Sequence, residues 1–281
     1  MGGLGNQLFQ IFTTIAYALE YNLPFVFLNQ FQLNSGNDGA TIRYSYWNTF
    51  LQSLRPFLRD NLYSFTTIKE QDFTYNKLPA LTNKNTNIEL FGYFQSYKYF
   101  QSYKTTITKL LKLDTLKQSL LDKLNLDFKN TQYISIHFRL GDYKKLPNHY
   151  IILPIEYYIN ALQHIINNIS NNKNITVIYF CEQSDLPEVL EMTHILKNKF
   201  VSLDFVNYNN KLLVDWEELL LMSCCNYNII ANSTFSWWAG YLNNNTNNII
   251  YYPCKWFGPL LSNKNSLTNL FPPTWNCVSF S

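Results

Sequence analysis

The sequence predicts an α/β protein whose C-terminal part is a doubly wound parallel sheet. Two observations carry this. From residue 133 onward, short β-branched and aromatic runs alternate with helical patterns of 10 to 15 residues. Before that, a polar stretch at Asn125–Gln132 separates a less regular N-terminal part. The expected domains are 1–128, the N-terminal lobe, and 129–281, the C-terminal lobe.

The elements follow in order. Gly2-Gly-Leu-Gly-Asn-Gln-Leu-Phe-Gln10 reads as a glycine turn opening a helix. Leu8, Ile11, Phe12, Ile15 and Leu19 recur at helical spacing as far as Tyr21. Pro24–Leu28 reads as a buried strand, Ile88–Phe94 as another, and Tyr97–Leu126 as one or two helices. Residues 29–86 carry no clear periodicity. In the C-terminal lobe the expected strands are 133–138, 175–180, 201–206, 227–231 and 248–252. The helices between them are 154–169, 186–197, 215–225 and 236–243. Asn243–Asn248 is a low-complexity loop.

Composition narrows the function. Of 22 Lys plus Arg, only Arg43, Arg55, Arg59 and Arg139 are Arg. A net charge of +3 and a pI of about 8.4 fall short of a nucleic-acid footprint, which needs a pI above about 9. The five Cys show neither metal-ligand spacing nor a disulfide framework. That favours a reducing compartment. Met1 runs directly into the glycine turn, and no apolar run reaches 18 residues. A cytoplasmic protein is expected, with membrane association at most peripheral. No feature assigns an oligomeric state.

Three segments carry chemistry. Arg139 follows an apolar strand in Tyr133-Ile-Ser-Ile-His-Phe-Arg-Leu-Gly-Asp142. A guanidinium fork fits a phosphate bidentately, and open α/β sheets bind ligands at strand carboxyl ends. The plainer reading pairs Arg139 with Asp142 in the structure. His137 lies two residues earlier, on the same strand face. In Ile229-Ile-Ala-Asn-Ser-Thr-Phe-Ser-Trp-Trp-Ala239 a strand ends and hydroxyls gather before a helix. Ser233, Thr234, Phe235 and Ser236 would cradle a diphosphate, or the hydroxyls would simply cap the helix. In Asp215-Trp-Glu-Glu218, Glu218 or Asp215 would accept hydrogen bonds from a guanine edge, or the carboxylates would suit the helix dipole. At the opening turn, Gly3, Gly5 and Asn6 offer amides and a carboxamide at a helix start. No Walker lysine loop is present, and no GxGxxG follows a predicted strand.

These residues together resemble the α-1,2-fucosyltransferases of glycosyltransferase family 11. The resemblance runs through Gly2–Gln10, Gly92-Tyr-Phe-Gln-Ser96, His137-Phe-Arg-Leu-Gly-Asp-Tyr143, Glu218-Leu-Leu-Leu-Met-Ser-Cys224 and Asn232-Ser-Thr-Phe-Ser-Trp-Trp238. It implies a GT-B-like fold of two Rossmann-like lobes, with GDP-fucose held mainly by the C-terminal one. It implies inverting, metal-independent transfer of L-fucose to a glycan or oligosaccharide acceptor, commonly at a galactose 2-hydroxyl. It puts Arg139 on the donor β-phosphate, His137 and Glu218 at the guanine, Ser233–Ser236 along the diphosphate and sugar, and Asn6 near the reacting centre. No cofactor or metal is implied. The candidate bases are Asp142, Glu182 and Asn6.

The chain departs from the family pattern in three places. Leu140 replaces a second Arg. Cys181-Glu-Gln183 replaces a Ser-Asp-Asp run, leaving Glu182 as the acid. The strand expected before the glycine turn is absent from this sequence. The alternatives are a related enzyme with another GDP-sugar or acceptor, and a non-catalytic nucleotide- or glycan-binding remnant. Acceptor contacts are expected within 29–86.

Overall fold

A computed structural model of the chain describes residues 1–33, 42–62, 65–81, 86–128, 130–169, 174–208 and 213–280. Parts of the 29–86 span expected to hold acceptor loops lie outside the described residues. The chain forms two compact units. One is Met1–Leu116 with Asn265–Pro272, and the other is Lys117–Lys264 with Pro273–Ser281.

The first unit opens on α1 (Leu4–Tyr21). Gly2 precedes it with φ +76°, and a Cβ there would lie 2.5 Å from Asn6 Nδ2, so the turn requires glycine. Leu8, Phe9, Phe12 and Ile15 form the buried stripe. Phe9 and Phe12 meet Phe100 at 5.9 and 5.5 Å. Leu19, expected on that stripe, is exposed in the last turn.

Short strands follow: β1 (Phe27–Leu28), β2 (Gln32–Leu33), β3 (Arg43–Tyr44), β4 (Leu58–Arg59), β5 (Thr66–Lys69) and β6 (Ile88–Phe91). They pair as β1 with β4 and β5 with β6, both parallel, and β2 with β3 antiparallel. The strand expected over 24–28 is therefore only two residues long. Pro24 has no amide to give a ladder. The strand expected over 88–94 stops before Gly92. Helix α2 spans Lys104–Leu110, and α3 (Leu113–Leu124) leads into the second unit.

The second unit is regular. Its elements are β7 (Thr131–His137), α4 (Ile155–Asn168), β8 (Asn174–Phe180), α5 (Leu186–Lys199), β9 (Asp204–Asn207), α6 (Asp215–Met222), β10 (Tyr227–Ile229), α7 (Thr234–Tyr241), β11 (Ile249–Pro253), α8 (Pro259–Ser262) and β12 (Asn276–Val278). The six strands form one sheet in the order β12-β11-β10-β7-β8-β9, and every pairing is parallel. Numbered within the unit, that is the Rossmann order 3-2-1-4-5-6. The order reverses between β7 and β10, which is where such sheets bind ligands.

Both faces of the sheet are covered, so its central strands are almost continuously apolar. Ile134, Ile136, Val177 and Tyr179 share one core with Tyr157, Ala161, Leu162 and Ile165 of α4. Trp237 and Trp238 of α7 are fully buried, as expected of helix-packing residues. Several of the polar exceptions are paired. Asn228 Nδ2 donates to Ser135 Oγ at 2.7 Å, and Asn243 Nδ2 donates to Asn228 Oδ1 at 2.7 Å. Asn245 Nδ2 donates to the carbonyls of Cys224 and Cys225. The Asn-rich loop therefore satisfies buried backbone and is not mere filler.

One expectation is corrected. Cys254 and Cys277 form a disulfide, with Cα atoms 5.3 Å apart. The cause is register: β11 and β12 run parallel with Tyr252 opposite Cys277, which sets Cys254 beside it. The cysteine-based argument for a reducing compartment loses its footing at this pair. Cys181, Cys224 and Cys225 are buried and stand outside that disulfide. Among the described residues, no helix is long and apolar enough to cross a membrane.

Candidate functional site

The site grows from the ends of β7 and β8. These strands pair with His137 opposite Phe180, and the Phe138 amide still donates to the Phe180 carbonyl at 2.8 Å. Two residues further on, Arg139 and Glu182 meet. Arg139 Nη1 donates to Glu182 Oε1, and Nη2 donates to Asp142 Oδ1 at 2.5 Å. The guanidinium carbon also lies 5.0 Å from the centre of the Tyr143 ring. The structural pairing with Asp142 is thus present, and a second carboxylate joins it. Arg139 keeps 16% of its side chain exposed, against 44% for Asp142 and 47% for Glu182.

The turn after Arg139 is fixed from below. Leu140 is buried in the hydrophobic core, so the residue that departs from the family's second Arg serves packing. Gly141 has φ +31°, and a Cβ on it would lie 2.6 Å from Glu182 Oε2. Its amide donates to Asp185 Oδ2 at 2.6 Å. Lys144 lies 3.6 Å from Asp185 and 2.8 Å from Glu188. Asp185 is buried and was missed in the sequence, where it reads only as the polar residue before α5.

The second wall comes from β10. After Ile229 the chain turns through Asn232, whose Nδ2 donates to the carbonyls of Ile151 and Trp256, each at 3.0 Å. Ser233 caps α7, its hydroxyl accepting from the Phe235 amide at 3.3 Å. This extends the helix two residues earlier than the expected start at 236. Ser236 is wholly buried, and its hydroxyl accepts from the Ala231 amide at 3.2 Å. It braces the strand-to-helix turn from inside. Thr234 and Phe235 are half-buried.

The two strand ends meet. The His137 and Phe235 rings lie 5.5 Å apart, and Tyr143 Oη donates to the Asn232 carbonyl at 2.9 Å. His137 is 6% exposed, and its Nδ1 is buried without a hydrogen-bond partner. Burial, and next the Arg139 charge, lowers its pKa to about 3, so it is neutral at physiological pH. Glu218 sits in the first turn of α6. Burial, and next Asp215, pushes its pKa up to about 7. It is near enough to Cys181 at the end of β8 to help raise that thiol, behind burial and Asp185. Among the described residues, no three His, Cys, Asp or Glu side chains gather as a metal site.

The remaining candidates belong to the other unit. Gly3 is the uncapped start of α1, and Gly5 is buried within it. Asn6 Oδ1 accepts from Gln95 Nε2 at 3.0 Å.

The second unit is therefore an α/β domain with a guanidinium, a neutral imidazole and a capped helix start at its topological switch point. That is the equipment of a nucleotide-handling domain. The chain belongs to glycosyl transferase family 11, whose family model matches residues 52–276. It is 31% identical to the O-antigen biosynthesis glycosyltransferase WbnK of Escherichia coli over 64% of this chain, spanning 58% of that protein. It is 27% identical to an alpha-1,2-colitosyltransferase of Escherichia coli, over 91% of this chain and 90% of that one. It is 24% identical to a galactoside 2-alpha-L-fucosyltransferase of Caenorhabditis elegans, over 99% of this chain and 78% of that one.

Proposed function

We propose that the protein transfers L-fucose from GDP-fucose to a glycan hydroxyl, with inversion and without a metal, most simply at a galactoside 2-hydroxyl. The observation that carries this is the meeting of His137 and Phe235, with Arg139 close enough to His137 to act on its charge, at the switch point of a Rossmann-ordered sheet. In this reading Arg139 binds the donor β-phosphate. The Ser233 and Thr234 end of α7 lies along the diphosphate, and Ser236 holds that turn. Glu218 and the unpartnered Nδ1 of His137 face the guanine. Asn6, Gly3 and Gly5 keep the roles that the family resemblance implies for them.

The acceptor oxygen attacks C1 of the sugar from the face opposite GDP. The C1–O bond to the β-phosphate breaks, and the acceptor proton leaves to a base, for which Asp142 is the candidate. Negative charge grows on the leaving phosphate, and in this reading Arg139 with the α7 amides stabilises it. The test is transfer from GDP-fucose to a galactoside in EDTA, with wild type and Arg139→Ala. Turnover that depends on Arg139 is expected. A requirement for Mn²⁺ would overturn the metal-free reading.

A second reading concerns the donor. A relative that aligns over most of both chains is a colitosyltransferase. A donor panel including GDP-colitose decides between fucose and its dideoxy relative.

A further inference from the structure

Arg139 presents a difficulty for any phosphate ligand. Both arms of its fork are already taken by carboxylates, and Tyr143 covers its carbon. Its ion-paired surroundings add little positive charge, although Lys145 closes the same short turn. His137 is neutral, and Lys144 is engaged by Asp185 and Glu188. Arg139 and Lys144 face Asp142, Glu182, Asp185 and Glu188, so the cluster is net negative. A diphosphate entering it meets repulsion unless one carboxylate withdraws.

The two carboxylates are held differently. Asp142 sits three residues from Arg139 on the same short turn, and that turn is pinned where the Gly141 amide meets buried Asp185. Glu182 reaches across from β8, outside the pinned turn, and its carboxylate rests over Gly141; the two carboxylates are about equally exposed, at 47% and 44%. Its longer side chain, anchored outside that turn, is the freer of the two to swing away.

We propose that Glu182 is an exchangeable counter-ion: it occupies the Nη1 arm of Arg139 in the empty protein and is displaced by the donor phosphate. Glu182 is then a positioning residue that competes with the ligand, and it lowers donor affinity while keeping the guanidinium aimed. Asp142 stays on the Nη2 arm throughout. This rests on the reading of Arg139 as a phosphate contact.

The test is GDP and inorganic pyrophosphate titration by calorimetry on the full chain. The variants are Glu182→Gln, Glu182→Asp, Asp142→Asn and Arg139→Ala, each with a thermal melt to verify folding. A half-exposed ion pair is modest, and apparent affinity scales with the fraction of competent protein. Glu182→Gln should therefore tighten GDP and pyrophosphate about three- to tenfold, and KM for the donor should fall with it. Glu182→Asp, too short to reach, should behave likewise, while Asp142→Asn should weaken binding. A structural brace would do the opposite, because its loss would misplace Arg139. If Arg139→Ala abolishes binding but Glu182→Gln weakens it or leaves it unchanged, the exchange is wrong and the proposed function stands. If Arg139→Ala binds GDP as well as wild type does, the phosphate contact itself is overturned, and the exchange with it.

Discussion

Glu218→Gln distinguishes a binding carboxylate from a helix cap. A carboxylate that merely suits the α6 dipole is stabilised in its ionised form, and its pKa falls. Glu218 shows the reverse, raised from 4.5 to about 7, chiefly by burial. The native state therefore holds a proton between those values that the unfolded chain has released. Stability linked to this group is fully present below pH 4.5 and is lost as pH rises through about 7. The whole shift corresponds to about 3 kcal/mol at 1.36 kcal/mol per unit. Solvent reaches part of the side chain, which brings the expected effect to about 1–2 kcal/mol.

Glutamine carries no such linkage. Wild type and Glu218→Gln should have equal urea midpoints near pH 4, and the variant should be the more stable by about 1–2 kcal/mol at pH 8. In melting temperature that is roughly 2–8 °C. The same variant should bind GDP more weakly, since a carboxamide cannot accept from both guanine donors. Stability gained and ligand lost together mark a group kept for binding. A Glu218→Gln protein that is less stable at pH 8, or whose offset from wild type does not change with pH, refutes the reasoning.

Three further outcomes follow from local geometry. Gly141→Ala should cost about 1–2 kcal/mol in urea denaturation, because alanine is strained at φ +31°, while the Glu182 carboxylate can swing clear of the new methyl; an unchanged midpoint would show that the turn relaxes freely. Reduction of Cys254–Cys277, which closes a loop 23 residues in separation, should cost about 3 kcal/mol, read as the difference in midpoint with and without dithiothreitol, and a double Ser variant should match the reduced protein. His137 should show no imidazole titration by NMR between pH 4 and 8, and because the unfolded chain takes up that proton below about 6.5, stability should decline as pH falls below that value; a midpoint near 6.5 for His137 would mean the site is wetter than its burial indicates.

What the sequence made legible follows from which contacts are local. The strands of the second unit stand out because both their faces are buried, so they read as almost continuous apolar runs, as in Val177-Ile178-Tyr179-Phe180. Arg139 stands out because arginine is scarce here and because a Gly-Asp turn follows it. The partners of Arg139 are less visible. Glu182 lies 43 residues away and becomes a neighbour only through the alignment of His137 with Phe180. The Cys254–Cys277 bond depends on β12, a strand of three residues with no periodicity to announce it. In the first unit, strands of two residues fall below any window that periodicity can read. The hydroxyl run at 233–236 was legible as a group but not residue by residue. Ser233 caps α7 while Ser236, on the same helix, turns inward.

The choice of arginine at position 139 has a physical reason that the fold makes plain. A lysine ammonium at the end of β7 would be one compact charge, able to take Asp142 or Glu182 but not hold both in a plane against the Tyr143 ring. The guanidinium does all three, because its two arms diverge and its face is free to stack. That geometry also permits replacement one arm at a time: Nη2 stays anchored to Asp142 while Nη1 changes partner. The loss of a second arginine at Leu140 fits this economy. Leu140 is buried in the apolar core, so a charge there would need a buried partner. Arg139 thus stands at the switch point between a carboxylate of its own pinned turn and one that reaches over from the neighbouring strand end.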